Sequence, residues 1–372
     1  MTGHAAAVGL PTRTLNRAKE FAFGPVLFSI VASLLIGAVV IALSGTNPLL
    51  AYREMLQGAL TGSGLRNTLA RMIPIVGMGL ALSIPFRAGV INLGGEGQMV
   101  LGGLAGTLTA IYLPGPPPMV MAAAIVAGAV AGGLWALVAA VGQIWLRLPI
   151  LISSLLLAYP ARAITSYLFR FPYADPTVTS SSTVPVPMPN RLPKLPLFGG
   201  ISVSIILLAI LLVAVAVFNE RTVAGYETRM TGLNSRFSRY GGVRVDLQVI
   251  WVMVASGAMS GVIGTHLVVG ETYRFLDGDL VVSGFAWTGL LVTLLASHRP
   301  GPLLAAGAFF AALQIGGLAM QRNVNVPWQI ALVLQAVVIV MLAGRFVVSR
   351  RRVAETAEPP TVEGELTVTG EV

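Results

Sequence analysis

The sequence predicts an all-α, polytopic membrane protein with about ten transmembrane helices, and three observations carry that prediction. Of 372 residues, 55% are hydrophobic and 10% charged, where a soluble domain carries roughly 25% charged residues. The apolar residues gather in runs near the ~20 residues that one spanning helix requires. Lys and Arg fall unevenly between the runs, as they do when basic loops stay on the cytoplasmic side. The length is therefore used up by spans and not by stacked globular domains. The net charge of +9 marks such loops rather than a surface for nucleic acid. The lack of cysteine excludes a disulfide framework and a thiolate metal site.

Residues 1–20 read as a cytoplasmic N-terminal segment, 21–347 as the transmembrane domain and 348–372 as a cytoplasmic tail. The first apolar run follows Arg13, Arg17 and Lys19 and is free of charge from Phe21 to Tyr52. That exceeds the ~7–15-residue core of a signal peptide, so it reads as an uncleaved anchor. Spans are expected at 24–44, 66–86, 93–113, 119–143, 149–169, 199–218, 247–268, 280–297, 301–321 and 326–344. The segment "LLAYREMLQGAL" after the first is amphipathic and reads as a short helix lying at the membrane surface. "LPGPPP" divides the third from the fourth, because consecutive prolines cannot continue a helix. The Pro/Ser/Thr-rich stretch 170–198 reads as a loop without helical or strand pattern. The tail "VAETAEPPTVEGELTVTGEV" is acidic, poor in aromatics and expected to be disordered.

With the N-terminus inside, this division leaves fifteen Lys and Arg in inner segments, eight in outer ones and Arg162 within the fifth span. The bias places both termini and the 219–246 loop in the cytoplasm and the 170–198 loop outside. Adding or removing one span spoils it. Small residues recur at helix-contact spacing in Gly102 and Gly106, Gly128 and Gly132, and Gly257 and Gly261. Together they favour a compact bundle, since they let helix backbones approach closely.

The stretch "FRAGVINLGGEGQMVLGG", Phe86 to Gly103, holds Glu96, the only one of fifteen acids expected inside a span. A charge at mid-membrane costs at least ~2.5–3.5 kcal/mol, so such groups face a protein interior or a cavity. Asn92 is expected to cap the helix, with Glu96 one turn in, where the positive helix end favours a carboxylate. Two roles stay open. Glu96 orders the helix start or pairs with Arg87, Arg71 or Arg162, or it lies on a transport path. Arg162 follows Pro160, near an expected kink, and either lines a path or snorkels outward. Phe285 and Trp287 either stack a nucleobase or simply pack.

A second candidate lies in "TGLNSRFSRYGG". Asn234 suits an N-cap and Gly241 a helix stop. Between them Phe237 and Tyr240 share one face of a short helix, Arg236 and Arg239 another. A helix of that kind can dock in a partner's groove. An ordinary positive-inside loop accounts for the arginines but not for the paired aromatics. The chain has no G-x-x-x-x-G-K-[ST] loop, so it lacks its own nucleotide-binding motif and does not read as an enzyme. His4, His266 and His298 are too scattered for a metal triad.

"FRAGVINLGGEGQMVLGG" resembles the "FRAGxFNIGxEGQ" signature of permease subunits from ATP-binding-cassette (ABC) importers for nucleosides and related simple sugars. These sit within the branched-chain amino acid and ribose permease superfamily. Its candidate path or structural residues here are Asn92, Gly95, Glu96, Gly97 and Gln98, with Arg162 and Trp287 as further candidates to line the path. "TVAGYETRMTGLNSRFSRYGGVRV" resembles the family's cytoplasmic coupling loop. Its candidate ATPase contacts are Gly232, Asn234, Arg236, Phe237, Arg239, Tyr240 and Gly241. "GFAWTGLLVTLLASHRPGPLLAAGAFFAALQIGG" resembles a later family segment, so the likeness runs from about Leu50 to Gly344. Ile150 and Ala158 depart from the family's usual acid and asparagine, Ser235 and Ser238 from its proline and alanine.

The resemblance implies an ABC importer permease in the inner (plasma) membrane that translocates nucleosides. It implies separate ATPase subunits that use the ATP, no cofactor on this chain, a second permease subunit in a homo- or heterodimer, and an extracytoplasmic substrate-binding protein. Two alternatives remain: a simple sugar as cargo, or a proton-coupled secondary transporter using Glu96, a design served by inverted repeats and broken helices.

Overall fold

A computed structural model of the chain describes residues 31–179, 181–196 and 199–341. The expected N-terminal segment and acidic tail lie outside them. The described residues form two compact units, 31–40 with 333–341 and 41–332. The described part of the first is helical; the second carries the candidate site.

The helices are α1 (Val31–Leu43), α2 (Pro48–Leu60), α3 (Gly62–Arg87), α4 (Gly95–Tyr112), α5 (Pro117–Leu146), α6 (Ile150–Arg170) and α7 (Ser204–Arg221). They continue with α8 (Val223–Leu233), α9 (Ser235–Tyr240), α10 (Val245–His266), α11 (Asp279–Val282), α12 (Phe285–Leu295), α13 (Pro300–Val324) and α14 (Gln329–Met341). Each expected span coincides with one helix or a broken pair. Among the described residues six helices are long and apolar enough to cross a membrane, and α1 with α2 adds a seventh if the two form one span. The other expected spans fall short of that measure for visible reasons. α4 has 18 residues but opens on Gly-Glu-Gly-Gln, α11 and α12 are broken at Gly284, whose φ is +63°, and α14 is short.

Apolar exposure is arranged as for a bilayer. α3 and α10 are mostly buried and central, α6 and α7 mostly exposed. Ile206, Ile210, Val213 and Val217 form an exposed stripe along α7, and Val126, Val130, Leu134 and Val138 another along α5. A spacing of three and four puts each set on one helix face, which in lipid needs no cover. The interior mixes large apolar side chains such as Ile75, Met78, Met253 and Phe310 with small and polar ones. The three glycine pairs meet at one α4–α5–α10 junction, where a Cβ on Gly102 would collide with the Cα of Gly261. Thr265 Oγ1 donates to the Gly102 carbonyl there (3.1 Å).

Three expectations change. The amphipathic segment becomes α2, capped by Asn47, but its Ala51, Met55 and Ala59 are buried against α13 instead of lying in a membrane surface. The seventh span runs on as a π-helical turn, Leu267–Thr272, so Glu271 joins Glu96 as an acid within a spanning helix. The 170–198 stretch also has more order than its composition suggests. The Thr183 and Val186 amides donate to the carbonyls of Phe275 (3.0 Å) and Tyr273 (2.7 Å), Lys194–Leu195 pairs antiparallel with Ile201–Ser202, and Val186 and Leu192 are buried with Ala110, Ala124 and Val269. Partners this distant leave no periodic trace in the local sequence.

Candidate functional site

Residues 88–94 separate α3 from α4, and Gly89, at φ +75°, makes the turn. The stretch leads to a helix start buried within the bundle, with Gly95 and Glu96 both covered. α12 likewise begins under cover, with Phe285 and Ala286 buried. Two helices thus begin inside the protein, and near each start stands a residue singled out by the sequence, Glu96 on α4 and Trp287 on α12. Their side chains meet. Trp287 Nε1 donates to Glu96 Oε2 (3.2 Å), while the Arg162 guanidinium of α6 forms an ion pair and hydrogen bond with Glu96 Oε1. Glu96 itself is 5% exposed.

Of the three arginines offered as partners, Arg162 is the one in contact. Arg71 turns away, its Nε donating to Gln314 Oε1 (2.9 Å) and its guanidinium lying 4.3 Å from the centre of the Phe285 ring. Arg87 closes the opposite end of α3. Arg162 therefore does not snorkel freely: Glu96 draws one face of its guanidinium into the bundle, and the Tyr159 ring lies 5.5 Å away. Phe285 packs.

Asn92 is not the helix cap. The cap position is Gly94, which makes no side-chain bond. Asn92 instead shapes the approach, its Oδ1 accepting from the Gly94 amide (2.9 Å). It also forms a reciprocal amide pair with Gln98, Nδ2 to Oε1 at 3.0 Å and Nε2 to Oδ1 at 3.2 Å. Ser256 of α10 accepts a second bond from Asn92 (3.0 Å), and Ser154 of α6 accepts from the Leu93 amide (3.1 Å). Gly97 lets α6 approach at Ala158 and Ala161, and Gly95 sits against Met78 and Leu82 of α3. The motif divides in two. Asn92 and Gln98, both buried, lock the segment to its neighbours, and Glu96, two residues from Gln98 and so on another helix face, holds Arg162 and Trp287.

Space near Glu96 is slight, about 10 Å³ between it, Asn92 and Trp287, at the threshold for one water molecule. On its other side Arg162 borders a cavity of about 310 Å³. Ser154, Ser256 and Asp277, which borders that cavity, were not legible as site residues. Isolated serines in apolar helices and an acid in a loop carry no spacing signal.

At the other end of α3, α8 and α9 lie side by side. Thr222 caps α8, accepting from the Gly225 amide (3.0 Å), and Asn234 caps α9, accepting from the Phe237 amide (3.0 Å). α9 stops at Gly241, but the left-handed residue that turns the chain is Gly242, at φ +88°. Phe237 and Tyr240 are 61% and 92% exposed, so neither is covered by a partner among the described residues. Arg239 pairs with Asp246 at 3.2 Å, whereas Arg236 makes no ion pair among the described residues. Gln248 Nε2 donates to Thr228 Oγ1 (2.6 Å), tying α8 to α10. Nearby, His298 stacks on Phe86 with ring centres 5.2 Å apart. Burial first, and the Arg87 charge second, hold it below the ordinary histidine range.

Residues 64–343 match the family described as branched-chain amino acid transport system / permease component. The chain is 30% identical over 348 residues to the glucose ABC transporter permease protein of Haloferax volcanii, covering 89% of each. It is 24% identical to the guanosine ABC transporter permease protein of Bacillus subtilis, over 87% of this chain and 93% of that one. It is also 24% identical to the nucleoside ABC transporter permease protein of Lactococcus lactis, over 87% and 91%.

Proposed function

The chain belongs to the branched-chain amino acid transport permease family, as an ABC importer permease, and on that premise we propose that it carries nucleosides or simple sugars across the inner membrane. What supports the cargo is the character of the relatives, two named for nucleosides and one for glucose, together with a neutral polar site inside an apolar bundle. In this reading Arg162, fixed by a Glu96 that Trp287 holds in turn, is the polar group presented to the path, and Asn92 and Gln98 hold the frame around it. Separate ATPase subunits hydrolyse the ATP and dock on α9, a second permease subunit completes the path, and an extracytoplasmic binding protein delivers the cargo to the 170–198 side.

The observation that carries the reading is the closed Glu96 cluster. A carboxylate bonded on both oxygens, beside room for about one water, suits an internal strut better than a proton-relay group facing a channel. Uptake of radiolabelled nucleoside and hexose by cells expressing the whole transporter tests this. Depleting ATP at constant membrane potential is expected to stop uptake. Uptake that survives ATP depletion and follows the proton gradient would return Glu96 to the proton-coupled alternative.

A further inference from the structure

We propose that the cavity beside Arg162 is a binding site for a neutral polyhydroxylated ring, such as the ribose of a nucleoside or a hexose. The inference rests on the cargo reading above and gives that cargo a place. The cavity's volume, about 310 Å³, falls at the lower end of the ~300–1,000 Å³ typical of small-molecule sites. One wall is a single face of α6, with Arg162, Ser166 and Phe169 at successive helical turns and Thr165 beside them. The facing wall is the segment before α11, with Phe275 and Asp277.

The lining matches the two kinds of surface on a sugar ring. Phe169 and Phe275, both nearly fully buried, hold their rings 5.5 Å apart and tilted by 43° beneath the lining, and the more open Ala163, Leu276 and Val281 supply the apolar surface for the C–H face. Hydrogen-bonding capacity surrounds it. Arg162 Nε is buried and has no acceptor among the described residues. The Ser166 hydroxyl makes no hydrogen bond among the described residues, and Asp277 is held by Arg170 through Oδ2, leaving Oδ1 to accept. A vicinal diol offers oxygens to the guanidinium and hydroxyl hydrogens to the carboxylate.

Charge selects against other occupants. Arg162 is balanced by Glu96, and Asp277 by Arg170, so the cavity presents no net charge. A phosphate would meet Asp277, and an amino-acid zwitterion would have to displace both existing pairs. A neutral polyol disturbs neither.

The chain has no cysteine, so Ser166→Cys gives a single reporter thiol in the full-length permease, assembled with its partner subunits in membrane vesicles. Its reaction with a small methanethiosulfonate reagent is followed with glucose, guanosine, leucine or inorganic phosphate present. At ten times its Kd a ligand leaves about one site in eleven open, so labelling should slow about tenfold with glucose or guanosine. Leucine and phosphate should leave the rate unchanged. Ala163→Cys, on the same rim, serves if Ser166→Cys impairs assembly. Asp277→Asn should raise the Kd about tenfold, cutting protection at the same ligand concentration from about elevenfold to about twofold, whereas Arg170→Gln, which breaks the ion pair but keeps the carboxylate, should preserve it.

Import of a hexose or nucleoside without any slowing of labelling would overturn this site and leave the cargo reading standing. Protection by leucine or phosphate instead of polyols would overturn the class of ligand. Absence of hexose and nucleoside import altogether would sink the cargo reading, and this inference with it.

Discussion

Gly232 of α8 and Gly89 of the α3–α4 turn are in backbone contact. A Cβ on Gly232 would collide with the Arg87 carbonyl oxygen and lie 3.0 Å from the Gly89 amide nitrogen. Gly89 opens the short segment that ends at Glu96. The loop carrying the exposed aromatics of α9 therefore bears directly on the chain leading into the buried cluster, with no flexible side chain between them. Displacement of α8 by a partner has a rigid route to α4.

Gly232→Ala is expected to disturb that route. Extra volume against backbone costs ~1–3 kcal/mol, relieved by moving α8 away from residues 87–89. ATP hydrolysis by the assembled transporter should continue while uptake per ATP falls. Measuring both in the same vesicles checks it. Unchanged coupling in Gly232→Ala would show that the contact is packing alone.

The Glu96 cluster predicts a graded series. Glu96→Gln keeps an oxygen for Trp287 but loses the charge facing Arg162, and Glu96→Ala loses both. Uptake should fall in each, further in alanine, at equal membrane abundance, because misfolding alone would mimic the effect. Removing one partner of a fully buried pair costs ~3–5 kcal/mol. The Arg162 side chain is 36% exposed, so water recovers part of that and the loss should be smaller. Glu96→Ala and Arg162→Ala together should lose less than the sum of the singles, by more than ~0.5 kcal/mol in thermal stability. Trp287→Phe, which deletes one donor, should be the mildest. Additive losses would mean that Glu96 and Arg162 act separately.

Much of this was readable in the chain. Membrane class, helix positions, family and the special status of Glu96 follow from apolar run length and from one motif whose acid has no place in lipid. The glycine pairs were visible as pairs, but only packing reveals that they meet at one junction. Which arginine reaches Glu96 was not legible, since Arg71, Arg87 and Arg162 are equivalent until helix azimuths are fixed. That Asn92 braces the turn and does not cap the helix was illegible for a similar reason. A cap residue and a residue two positions upstream that braces the turn have the same composition, and the difference is where the helix starts. The break at Gly284 was hidden inside a continuous apolar run, because a glycine there is equally compatible with an unbroken span.

Topology can be tested at both ends of α10. With its π-helical extension the helix covers 28 residues, or ~42 Å at 1.5 Å per residue, longer than the ~30 Å hydrocarbon core. Asp246 in its first turn meets Arg239 of α9, and the segment after it pairs with residues 181–186. Ser181 and Ser235 therefore lie toward opposite ends. Cysteines introduced singly at these sites should react oppositely with an impermeant thiol reagent in intact cells, Ser181→Cys labelled and Ser235→Cys silent. The excess of basic residues around 219–246 sets that direction. Labelling of both from outside would defeat the ten-span arrangement.

The exposed face of α9 yields the sharpest distinction between anchor and rim. Phe237 and Tyr240 are large aromatic side chains uncovered among the described residues, at the end of α3 opposite the polyol cavity. Lipid could cover them only if α9 lay at hydrocarbon depth, but its neighbours Arg236, Arg239 and Arg244 put it in the aqueous or headgroup zone. The docking proposed above would cover them with a groove in an ATPase subunit. Truncating a buried aromatic anchor costs ~2 kcal/mol or more, whereas charges at a rim cost less. Phe237→Ala should therefore lower co-purification of the ATPase and remove stimulated ATP hydrolysis, with the permease still inserted at normal abundance. Arg236→Ala should weaken the complex mildly, and more at low salt than at high, because screening already removes most of a rim contribution. Arg239→Ala should matter least, since its charge is already engaged by Asp246. Wild-type assembly and uptake in Phe237→Ala would place the docking surface elsewhere and leave the Gly232–Gly89 contact without a source of motion.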